Sequence, residues 1–213
     1  MEKPILSKET YYFEQQGKLN MENTIMAVKK RAVEEGLKKV LMFTSEGEGP
    51  MLALKIFSET EIELIAVTFP YRQVAHEKTK DGEKRSIILG ISDDEKREVL
   101  KNRDIKIIQG VMPFQDIIIP GAKDIKLETI KNTLSLFGTG LQLCIEAIIM
   151  ACEYGAVEQG EEVISMAADT AIIATGSLKS LLFSPIDGME IREIICKPRY
   201  LNINRKRELL DVD

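Results

Sequence analysis

The sequence predicts an α/β fold of three layers, with helices covering both faces of a mainly parallel sheet. Three observations carry that expectation. Two short apolar runs, KKVLMFT at 38–44 and EIELIAVTF at 61–69, flank a short helical segment with tight joins. That order is the pattern of a strand–helix–strand crossover, which makes parallel neighbours. Farther along, TGLQLCIEAIIMACEYG is apolar on nearly every side. Such a helix needs a sheet against one flank and another layer against the other. The chain then closes with three strand-like runs, EEVISMA, TAIIATG and EIREIICKP.

The elements follow in order. TYYFEQ reads as an opening strand ending in a turn at Gly17. In the next segment Met21, Ile25, Val28 and Ala32 recur at spacings of four, three and four, one face of a helix. Asn20 is its expected N-cap and Gly36 its expected stop. After the strand at 38–44, PMLALKIFSE reads as a short helix with Pro50 in the favoured first position. Residues 70–86, rich in charge, read as an exposed loop. SDDEKREVLKNR opens with a capping box, Ser92 with Glu95, its acids early and its bases late as the helix dipole prefers. DIKIIQG is a further strand, and VMPFQDIIIPGAKD reads as a loop with room for one short strand. LETIKNTLSLFG leads into the apolar helix, with Thr139 as a cap.

Length and composition narrow the class. A chain of 213 residues suits one domain, taken as residues 1–200, followed by a charged tail at 201–213. The net charge of −5 is scattered along the chain, which argues against a nucleic-acid partner, since that needs a concentrated basic face. Cys144 and Cys152 lie eight residues apart in one predicted helix, roughly 12 Å, beyond disulfide reach. Reduced thiols fit a cytoplasmic location. The opening residues show no cationic-then-apolar leader, and no run is long enough to span a membrane. With one histidine, His76, and no CxxC pair, a multi-histidine or thiolate metal site is excluded.

Several segments together resemble a known family. KKVLMFTSEGEGPMLALKIFSETEIELIAVTF is similar to the C-terminal domain of pyruvate kinase, with its strand, Ser/Thr/Gly turn, helix and strand ending in VT. The free-standing proteins of the pyruvate kinase C-terminal domain-like family are closer still. Their pattern is matched by YYFEQQGKLNMENT, LQLCIEAIIMACEYGAV, ADTA at 168–171 and IREIICKPR. No residues remain here for the barrel in which pyruvate kinase transfers phosphoryl groups, so the chain is not expected to be a pyruvate kinase. The resemblance implies a stand-alone ligand-binding protein. Its ligand would be a phosphate-bearing, nucleotide-like small molecule, flavin mononucleotide being the family's suggested cofactor.

Three loops are the candidate walls of that site. In the first, Thr44, Ser45, Gly47 and Gly49 keep the small-residue character of a phosphate turn at a helix start. Glu46 and Glu48 oppose it: a carboxylate about 4 Å from a phosphate repels it by about 1 kcal/mol in water. Glutamate at a helix start also stabilises the helix itself, so the loop has a purely structural reading too. The second is Gly138, Thr139 and Gly140, with no acid within three residues and thus the better place for an anionic group. It reads equally as a simple cap. In the third, Asp169 and Thr170 lie between strands at the C-terminal edge of the sheet, where open α/β folds hold ligands. An Asx turn is its structural reading.

Other polar residues take ordinary readings. Gln142, Glu146 and Glu153 fall within about 40° of one another on the apolar helix and are expected to form a solvent-facing stripe. His76, beside Arg72 and Lys78, is expected to decorate the surface. A small hydrolase or isomerase built on His76 is the least favoured activity. The chief alternative to ligand binding is a cofactor-free regulatory or subunit-interaction module, with a homo-oligomer compatible with either.

Overall fold

The computed structural model describes residues 5–78, 84–115 and 124–201. Among these residues the main sheet has seven strands: β1 (Tyr11–Gln15), β2 (Lys39–Thr44), β3 (Glu63–Thr68), β6 (Lys106–Gln109), β7 (Glu162–Met166), β8 (Ala171–Thr175) and β9 (Ile191–Tyr200). Their order across the sheet is β1-β9-β8-β7-β2-β3-β6. Every neighbouring pair is parallel except the two that β8 makes, with β7 and with β9. The reason is the short join at 167–170, which has no room for a crossover and so turns the chain back on itself.

Among the described residues the helices are α1 (Met21–Glu35), α2 (Glu48–Ile56), α3 (Asp94–Lys101), α4 (Ile125–Ser135) and α5 (Thr139–Glu153). They cover both faces. Leu41 and Phe43 of β2 join Ile148 and Ile149 of α5 in one core cluster. The intervening Val40 and Met42 join Ile25 and Val28 of α1 and Ala53 of α2 in the other. Alternate side chains of a strand point to opposite faces, so a strand buried on both sides is apolar throughout. Helix α5 is the most buried, as its all-round apolar sequence demands.

Local rules account for several boundaries. Gly36 ends α1 in the left-handed conformation, its N–H returning to the carbonyls of Ala32 and Val33. Asn20 precedes α1, but its side-chain amide donates to the Gln15 carbonyl instead of capping. For α3 the capping residue is Asp93, not Ser92. Its carboxylate accepts from the backbone N–H groups of Glu95 and Lys96, a stronger acceptor one residue nearer the helix. Helix α2 begins at Glu48, two residues ahead of Pro50, and α5 is preceded by Gly138 at the N-cap with Thr139 as its first residue.

One expectation is overturned outright. The charged stretch read as a loop carries an antiparallel hairpin, β4 (Val74–Lys78) with β5 (Lys84–Ile88). It has no core face to bury, so it lacks the apolar alternation by which a strand is recognised. Backbone pairing alone marks it. The short strand allowed for between 111 and 124 falls largely on 116–123, outside the described residues, as does nearly all of the charged tail.

Candidate functional site

Parallel strands deliver their C-terminal ends to one edge of the sheet, and the loops that follow β2 and β7 emerge there side by side. Register sets this: Met42 of β2 lies opposite Met166 of β7, two residues before the turn that begins at Thr44. Helix α5 starts at the same edge. Between these segments is a cavity of about 210 Å³.

The first wall is the turn after β2. The Thr44 hydroxyl accepts from the backbone N–H of Gly47 at 3.0 Å, closing the turn. Gly47 adopts φ 88°, where a side chain is strained, and one would also meet Ile91. The Ser45 carbonyl accepts from the N–H groups of both Gly90 and Ile91 at 3.0 Å, tying the turn to the segment that leaves the hairpin. Glu46 and Glu48 flank a single lysine: Lys18 Nζ is 3.6 Å from a carboxylate oxygen of each. Lys96 Nζ reaches Glu48 from α3 at 3.7 Å.

The second and third walls pack into each other. Gly140, in the first turn of α5, lies so close to the 167–170 loop that an added Cβ would stand 2.3 Å from the Thr170 hydroxyl oxygen and 2.8 Å from Asp169 Oδ1. Only glycine permits that approach. Asp169 is buried, and both oxygens are engaged. Oδ2 accepts from the Gly17 N–H at 2.7 Å and Oδ1 from the Thr170 hydroxyl at 2.9 Å. The Ala168 carbonyl accepts from the Thr24 hydroxyl of α1. Asp169 thus stitches the end of β1 to the loop after β7.

Of the residues singled out from sequence, Thr44, Ser45, Gly49, Thr139, Gly140 and Asp169 border the cavity. Gly47, Gly138 and Thr170 lie behind it. Gly47 faces Ile91 and Leu100, Gly138 faces Leu201 and Pro198, and Thr170 is buried beneath Asp169. Residues that sequence reasoning did not assign to the site also border it, among them Gly17, Lys18 and Met21. The signal available was the turn at Gly17. Its relevance appears only once β1 pairs in parallel with β9 and so ends at this edge.

Other candidates are elsewhere. The solvent-facing stripe expected on α5 is corrected at Glu146, which is 1% exposed. Its Oε1 accepts from the Phe114 N–H at 3.0 Å and its Oε2 from the Gln142 amide at 3.3 Å. The 111–115 segment folds over this face of the helix, and periodicity within the helix cannot reveal that. Burial pushes the Glu146 carboxyl above its ordinary value, against the pull of those two hydrogen bonds. His76 is exposed on the hairpin with Nδ1 3.1 Å from Ser86 Oγ, away from the cavity wall. All three cysteines are buried thiols, and burial pushes Cys152 up to about 11 and Cys196 up to about 12. Among the described residues there is no group of three metal-ligating side chains, and no helix is long and apolar enough to cross a membrane.

The arrangement offers hydrogen-bond donors and a helix start on one side and paired charges on the other. That suits holding a small polar molecule. A comparison with models of known protein families finds no match.

Proposed function

We propose that the chain is a ligand-binding protein of the pyruvate kinase C-terminal domain-like class. It holds a phosphate-bearing, nucleotide-like small molecule at the C-terminal edge of its sheet. The observation that carries this reading is the convergence of three separately recognised loops, at Thr44–Gly49, Thr139–Gly140 and Asp169, on one cavity. Ligands of open α/β sheets bind at that edge.

The charge pattern supports an orientation. The first turn of α5 has no acidic residue of its own and its leading N–H groups lack acceptors within the helix, which favours the phosphate at the Thr139 end. The Asp169 carboxylate beside Gly140 opposes an anion there, its charge partly offset by the Gly17 N–H and the Thr170 hydroxyl that donate to it. Hydroxyls of a sugar or ribityl chain then face Ser45 and the glutamates. The cavity is smaller than the roughly 300 Å³ at which small-molecule pockets usually begin, so a ring system such as that of flavin mononucleotide would project from its mouth. Any chemistry would belong to that cofactor.

The test is the content and affinity of the purified protein. Near-visible absorbance and mass spectrometry of material released on denaturation are expected to show a phosphorylated cofactor. Failing that, titration with flavin mononucleotide, adenosine monophosphate and ribose 5-phosphate should show saturable binding. Bare protein that binds none of them at millimolar concentration refutes the reading and favours the cofactor-free interaction module.

A further inference from the structure

The two glutamates in the first loop are out of place beside a phosphate, and Lys18 resolves the conflict. We propose that Lys18 is an exchangeable cation, held by Glu46 and Glu48 when the cavity is empty and transferred to the phosphate of a phosphomonoester when it is filled. This rests on the ligand-binding reading above.

Four features point to it. Lys18 borders the same cavity as Thr139 and Gly140. Its Nζ is equidistant from the two carboxylates, 3.6 Å from each, so neither holds it in a close, directed hydrogen bond. Its side chain is 61% exposed, and ion pairs of that kind are worth little and are readily given up. Its backbone, by contrast, is fixed at the rim, because the preceding Gly17 N–H donates to the buried Asp169 carboxylate at 2.7 Å. A four-carbon stem anchored at the rim can turn its ammonium inward without moving the chain.

The exchange also leaves the glutamates in a tolerable state. Glu48 keeps Lys96 at 3.7 Å, and Glu46, 39% exposed at its side chain, is open to solvent. The glutamates therefore act as a competing site for the lysine. They lower affinity for every anion; attraction to the transferred ammonium and repulsion by the glutamates both grow with the anion's charge, so the phosphomonoester class is taken from the ligand-binding reading above.

A double-mutant cycle tests the exchange. Affinities of flavin mononucleotide, adenosine monophosphate and ribose 5-phosphate, each beside its dephosphorylated form, are measured for wild type, Lys18→Met, the pair Glu46→Gln with Glu48→Gln, and all three changes together. Lys18→Met should weaken the best phosphorylated probe about fivefold to tenfold and leave its dephosphorylated form unchanged. The glutamine pair should tighten the phosphorylated probe several-fold with Lys18 present, and by clearly less without it. Equal gains in the two backgrounds would mean simple repulsion by the glutamates and would overturn the exchange. So would an unchanged affinity in Lys18→Met, while the pocket itself would stand. A wild-type protein that binds no phosphorylated probe sinks both readings together. Thermal melts of each variant show whether a loss of binding is a loss of fold.

Discussion

Replacing Glu146 by glutamine should make the protein more stable at neutral pH, although the residue lies in the core and makes two hydrogen bonds. Burial raises the carboxyl above its ordinary value near 4.5, so the folded state holds its proton more tightly than the unfolded chain does. Stability then falls as pH rises from the unfolded value through the raised folded value, and is level on either side. Glutamine keeps the shape and an oxygen to accept from the Phe114 N–H, its amide nitrogen donates to Gln142 once that side chain turns its oxygen inward, and it carries no titrating proton. The advantage of Glu146→Gln over wild type should therefore be small in acid, grow through that window and level off above it. Glu146→Leu is the control. It leaves the buried Phe114 N–H without its acceptor, a loss of about 1–3 kcal/mol relative to glutamine. For a chain of this length that is a midpoint roughly 2–12 °C lower. Urea titrations of the three proteins at several pH values, with thermal melts at neutral pH, supply the measurements. A Gln-minus-wild-type difference that stays constant with pH would show that Glu146 titrates alike in both states. The argument from burial would then be wrong.

Other positions make equally direct predictions. Gly140→Ala should cost about 1–3 kcal/mol in urea unfolding, because its Cβ must displace Thr170 and Asp169 within a packed loop; a neutral result would mean that the loop yields freely. Asp169→Ala should cost about 1–3 kcal/mol and speed amide exchange at Gly17, whereas Asp169→Asn should retain most of both, since an amide oxygen can still accept that N–H. Unchanged exchange at Gly17 in the alanine variant would show that the bond to β1 is not what holds that end. The three thiols should resist an aromatic disulfide reagent at pH 8 until the protein is unfolded, because burial keeps them protonated and covered. Rapid labelling of the native protein would contradict that burial.

The residues of the α/β architecture carry its signature locally. Continuous apolar runs such as Val40–Phe43 and Leu64–Val67 mark strands covered on both faces, and Gly36 marks a helix end by its own backbone preference. These depend on neighbours a few positions away, so they are legible in one dimension. The small-residue loops at 44–49 and 138–140 and the acid at 169 are legible in the same way, as segments that follow a strand or begin a helix. The tertiary structure decided which of them meet. Parallel pairing of β1 with β9 carries Gly17 and Lys18 to the cavity, while packing sets Gly47 against Ile91 and Leu100 and Gly138 against Leu201 and Pro198, away from it. It also decided that Glu146 is buried, because a segment more than thirty residues earlier donates its Phe114 N–H there. A charge or glycine states its chemistry in the sequence; its partner comes from register and packing between distant segments, which no local pattern encodes.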